Sequence, residues 1–98
     1  NANFTGNKNE FYLKVLSRSR PNAIHGKPSK LASNPDDGTL ELQANATTQG
    51  VITLWIPDRF GKPKISGTNV VSNTLNKVEG AYQAAVKVNG NYLINVDF

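Results

Sequence analysis

The chain of 98 residues contains no cysteine and no methionine. Without cysteine there can be no disulfide, no zinc–thiolate site and no thiol nucleophile. The compartment stays open, because a disulfide-free domain can sit in the cytosol, the periplasm or outside the cell. A chain without methionine is expected to have been processed or excised. Long apolar runs are missing too: none reaches the length of a membrane-spanning helix, and no signal peptide is recognisable. Histidine occurs once, at His25. That is too few for a histidine metal site, so no metal and no cofactor are expected.

What is present bounds one domain with one modest core. Hydrophobic residues make up 38%, low for a globular domain but above a disordered composition. They gather after residue 39, which places the expected core in the second half. The net charge of +4 is unevenly spread. No acid stands between Glu10 and Asp36, while Lys14, Arg18, Arg20, Lys27 and Lys30 do. Such a basic stretch attracts acidic partners: polyanionic glycans, nucleic acid or anionic surfaces. The charge is small beside that of nucleic-acid binders, so no strong nucleic-acid signal is read from it.

Residues 1–10, NANFTGNKNE, read as a flexible lead-in, and 11–98 as a single domain. FYLKVLSRS (11–19) reads as a strand. Residues 20–38 carry three prolines and two glycines without a helical period, so a long loop is expected there, closed by NPDDG as a turn. TLELQANA (39–46) alternates, with Leu40, Leu42 and Ala44 on one face. TTQG turns the chain. VITLWIP (51–57) is apolar on both faces, as in a sheet interior, and Trp55 is expected in the core. TNVVS (68–72) and TLNKV (74–78) read as two short strands. AYQAAVKV (81–88) and NYLINVDF (91–98) alternate, and Asn89-Gly90 between them is a hairpin signal. No segment carries a convincing amphipathic helix. Seven or so short strands predict an all-β antiparallel sandwich, with a small β-barrel as the alternative.

IPDRFGKPKISGTNVV (56–71) resembles a segment of many bacterial immunoglobulin-like modules: hydrophobic strand, acid, Gly-x-Pro, small residue with glycine, valine strand. EGAYQAAVKVNGNYLINV (79–96) resembles the segment that follows in them. The pairing is similar to invasin-type bacterial immunoglobulin-like domains and to FixH- and YtkA-like domains. It covers about residues 50–97 and consists of turn and core positions. The resemblance implies an immunoglobulin-like sandwich, with Trp55 in the place of a buried central tryptophan and Tyr82 at a corner. Departures count as well. The inter-sheet cysteine pair is missing, as are the acidic and methionine-rich patterns of metal-handling relatives.

His25 with Asp36 or Asp37 lacks a flagged serine nucleophile, and no Gly-x-Ser-x-Gly elbow exists. Asp58 and Glu79 fall at strand ends without a helper for glycoside hydrolysis. Asp36-Asp37 fits a turn more simply than a calcium site. No phosphate-cradling loop is complete. Asn3-Phe4-Thr5 and Asn45-Ala46-Thr47 match the glycosylation pattern at near-chance frequency. An enzyme is therefore not expected. The expectation is an extracellular, periplasmic or cell-surface module that binds, adheres or acts as a spacer. Its contact residues would be Arg18, Arg20, Lys27 and Lys30 with Arg59, Phe60, Lys62 and Lys64, facing a glycan or other anionic surface, or another protein. Phe60 among bases could touch such a partner, or fold back as a plug over the end of the domain. The alternative function is a structural subunit of a phage or surface assembly whose edge strands pair with neighbours. The first strand and the chain end, NYLINVDF, are the candidates for that pairing.

Overall fold

The computed structural model describes residues 18–98, so the expected lead-in and most of the strand expected at 11–19 lie outside it. The described residues form one antiparallel sheet of six strands: β1 (Arg20–Ala23), β2 (Lys27–Ser33), β3 (Leu40–Asn45), β4 (Gln49–Pro57), β5 (Lys64–Val78) and β6 (Ala81–Asp97). A single 3-10 turn, Asp58–Phe60, follows β4.

The register reduces these six strands to four long ribbons. β6 pairs with β4 from Ala81 to Asn89 and with β3 from Tyr92 to Val96, both on the same edge. β3 and β4 are thus one interrupted ribbon along β6. β1 pairs with β4 and β2 with β3, which makes a second interrupted ribbon outside the first. β5 runs along the other edge of β6.

Alternation explains the core. The even-numbered residues Leu40, Leu42, Ala44, Ile52, Leu54, Ile56, Ala84, Val86, Val88, Tyr92, Ile94 and Val96 form one buried cluster. All lie after residue 39, as the apolar distribution led one to expect. The odd-numbered neighbours face outward, in keeping with the period of two along a strand.

The sheet is strongly curled, and two rings measure how far. Phe60 follows the end of β4 that pairs with Ala81, and Phe98 follows the far end of β6. A straight strand of that length spans ~55 Å. Yet the Phe60 and Phe98 ring centroids lie 5.7 Å apart. The ribbons therefore double back until their two ends meet, in a half-barrel with the even-numbered face inside.

The bend has a local cause. Three residues with positive φ stand at its line, Gly26 at 85°, Asn69 at 60° and Gly90 at 81°, while Gly38, Gly61 and Gly80 serve the turns at the other end. Gly67, at 150°, stands just beside the bend, where a Cβ would overlap the Leu93 carbonyl oxygen. Side chains hardly adopt such backbone angles, and none would fit that approach. Register shifts in β2 and β5 fall beside the same line. Across it, Gly90 N–H donates to the Thr48 carbonyl at 3.3 Å, Ala46 N–H to Asn91 Oδ1 at 3.0 Å, and the Asn69 amide to the Asn91 carbonyl.

Several expectations are corrected. The long loop expected at 20–38 holds β1 and β2, because pairing with β3 and β4 overrides the breaking tendency of its prolines at a sheet edge. The strands expected at 68–72 and 74–78 are one strand, β5. Asn89-Gly90 is no hairpin: β6 runs through it as a kinked strand, and the two-residue turn is Glu79-Gly80, between Val78 and Ala81. β4 is one-sided, with Ile52, Leu54 and Ile56 buried and Val51 exposed. Trp55 stands half-buried on the outer face, covered by Arg20, and not in the core. The chain end expected to offer a free edge is central, paired on both sides by β3 and β5.

Candidate binding surface at the closed end of the sheet

Where the ribbon ends meet, side chains do the joining. The turn Asn34–Gly38 is built as NPDDG suggests. Asn34 N–H donates to the Thr39 carbonyl and Gly38 N–H to the Asn34 carbonyl, both at 2.9 Å. Asp36 N–H donates to Asn34 Oδ1 at 2.8 Å. Thr39 gives Asp37 Oδ1 both its N–H, at 3.0 Å, and its hydroxyl, at 2.7 Å. These two donors hold the Asp37 carboxyl below its ordinary pKa.

Onto this turn fold the ends of other ribbons. Buried Ser19 donates to the Gly38 carbonyl at 2.7 Å, and Ser33 Oγ donates to the Ser19 carbonyl at 2.5 Å. Arg18 Nη1 donates to the Ser33 carbonyl at 2.9 Å. From the 3-10 turn, Arg59 Nη2 reaches the Pro35 carbonyl at 3.3 Å, while its guanidinium lies 4.3 Å over the Phe60 ring. Phe60 is half-buried beside Gly38 and Phe98, so it sits as the plug of the closed end. Lys62 and Lys64 follow, both exposed, and Lys64 stands opposite Asp97 in the ladder.

The basic residues singled out from the sequence are therefore divided. Arg18, Arg20, Arg59, Phe60, Lys62 and Lys64 cluster at or next to the closed end. Lys27 is at the bend, opposite Asn45. Lys30 lies between the two and is ion-paired with Glu41 at 3.0 Å. The closed end is of mixed sign, since Asp36, Asp37, Asp58 and Asp97 share it, and Asp58 pairs with Lys77 at 3.1 Å. An open groove of about 680 Å³ runs beside it, lined among others by Ser33, Asn34, Glu41, Ser66, Asn95 and Asp97. Sequence reasoning missed this groove, because its polar residues come from four strands and carry no motif.

The bend carries its own polar cluster. Tyr92 hydroxyl donates to the His25 carbonyl at 2.6 Å, and His25 Nε2 lies 3.0 Å from the Thr48 carbonyl. Burial pushes the Tyr92 phenol up, against a smaller opposing effect of that hydrogen bond. Tyr82, expected at a corner, follows the Glu79-Gly80 turn with the Lys77 ammonium over its ring at 5.7 Å. His25 and the Asp36-Asp37 pair stand at opposite ends of the ribbons, so no triad is assembled from them. Among the described residues no group of three or more His, Cys, Asp or Glu side chains is placed to hold a metal ion. Nor is any helix among them long and apolar enough to cross a membrane.

Comparison of the chain with protein-family models, with curated proteins and with solved structures finds no match.

Proposed function

We propose that the chain is a non-catalytic surface module of the extracellular or envelope kind, which binds an anionic glycan surface through its closed end. The observation that supports this reading is that Arg18, Arg20, Arg59, Lys62 and Lys64 lie at or next to the closed end, with the Arg59 guanidinium over Phe60 and that of Arg20 over Trp55. The carbonyl bonds of Arg18 and Arg59 fix where their charges stand. Binding then proceeds by charge attraction, which salt screens, and by hydrogen bonds from the guanidinium and ammonium groups to the anionic groups of the glycan. The resemblance over about residues 50–97 supports the extracellular setting. Of the two architectures expected, the single curled sheet supports the small barrel more than two separately paired sheets.

The test is a titration with a sulfated glycan at two salt concentrations. A Lys62→Ala/Lys64→Ala double variant is expected to weaken binding and flatten its salt dependence. A Lys27→Ala variant, altered at the other end, is expected to leave both unchanged. Equal loss from the two would remove the closed end from the reading, and no binding by the unmodified chain would remove the glycan.

A further inference from the structure

The two margins of the sheet are guarded very differently. The β1–β2 margin carries Pro21, Pro28, Lys27 and Lys30 and a register shift. Prolines, lysines and bulges are the usual protection against unwanted strand pairing. The other margin is β5, fifteen residues long. Its only charges are Lys64 and Lys77 near its two ends, and Ile65–Asn76 holds neither charge nor proline. Among the described residues β5 pairs with β6 alone. Its two register shifts lie between Thr68 and Ser72, so Ser72–Val78 pairs with β6 without interruption. Val71, just before it, is 56% exposed.

We propose that β5 is a strand-pairing edge and that its partner is β5 of a second copy of this chain. The observation favouring a second copy is that the segment is compatible with itself. Antiparallel pairing about a two-fold at Leu75 sets Leu75 against Leu75, Thr74 against Asn76, Asn73 against Lys77 and Ser72 against Val78. No like charges meet. Half-buried Leu75, whose partner on β6 is Ala84, gains an apolar contact at the axis. Such a two-fold keeps the inner faces of both sheets on one side, so the two cores extend each other. Isologous pairing of this kind closes as a dimer. It goes beyond the proposed glycan contact, from which it is independent, and it moves the assembly edge from the chain end to β5.

The absence of cysteine gives a clean test. In a Leu75→Cys variant the two-fold places the new thiols on directly opposite residues, whose Cα atoms lie about 4.5–5.5 Å apart, within disulfide range. Mild oxidation is expected to give a covalent dimer. Val51→Cys, exposed on the outer face, is expected to stay monomeric under the same conditions. Sedimentation of the unmodified chain should show a concentration-dependent monomer–dimer equilibrium. A Thr74→Lys/Asn76→Lys variant sets lysine against lysine and should raise the dissociation constant at least about tenfold. Both positions are exposed, and a dispersed amide spectrum checks that the variant still folds. A chain that stays monomeric at about 1 mM overturns the proposal. So does a dimer that neither cross-links through position 75 nor responds to the lysines, since another segment would then be the partner.

Discussion

The bend and the closed end belong to the same four ribbons, yet they are made of different material. At the bend the chain turns by backbone means: positive φ at Gly26, Asn69 and Gly90, and hydrogen bonds that run largely between main-chain groups and asparagine amides. At the closed end separate ribbons are held by side chains: Ser19, Ser33, Arg18, Arg59 and the Phe60–Phe98 ring pair. Added atoms are least tolerated where backbone approaches backbone, as at Gly67, and the closed end leaves Arg59, Lys62 and Lys64 exposed.

The sharpest way to break the comparison is to add a side chain at each end. Gly67→Val should cost about 3 kcal/mol or more, because the new atoms meet the Leu93 carbonyl at an angle valine resists. Gly61→Ala, at φ 93° but with nothing within 4 Å, should cost only about 1–2 kcal/mol. Denaturant midpoints of the pair decide the matter, and equal losses would dissolve the distinction. Next in size, Phe60→Ala should lower stability by about 1.5–2.5 kcal/mol, roughly half the value for a fully buried phenylalanine. Thermal melts read this directly. A variant as stable as the parent would show that the ring pair closes nothing.

Tyr92→Phe sharpens the bend side. Losing the bond to the His25 carbonyl should cost about 1 kcal/mol while the ring still fills the core. Amide exchange at residues 25–27 and 46–48 should rise selectively. The smallest effect is one of pH. Asp37 is held below its ordinary value by Thr39, so ionisation favours the fold. Its contribution is present above the unfolded value, about 4, and fades as pH falls through the lowered folded value. A melting series in acid should show this slope, and Asp37→Asn should lack it.

Much of the strand pattern was legible because alternation is physical. Leu40, Leu42 and Ala44, and Tyr92, Ile94 and Val96, are buried as their spacing implies. The Asn89-Gly90 hairpin misled, although parity held the answer. A two-residue turn sets 88 opposite 91, so Asn91, Leu93 and Asn95 would share the face of Val86 and Val88. The apolar set is instead Tyr92, Ile94 and Val96, which only an uninterrupted strand keeps on that face. Trp55 misled for another reason. Hydrophobicity gave it to the core, whereas its odd parity beside Ile52, Leu54 and Ile56 gave it to the outer face. The closed end was hardly legible. Arg18 and Ser33, or Arg59 and Pro35, meet only because a distant bend brings their ribbons together. Nothing near them in the sequence encodes that.

The doubling of the ribbons has a mechanical consequence. Arg18 and Phe98 both lie at the closed end, so a pull between them loads that end first. The ring pair and the Ser19–Gly38 contact would separate in succession, as a zip opens, while the long ladders of β6 stay unsheared. Opening under such a pull is expected to proceed in steps, from the closed end towards the bend.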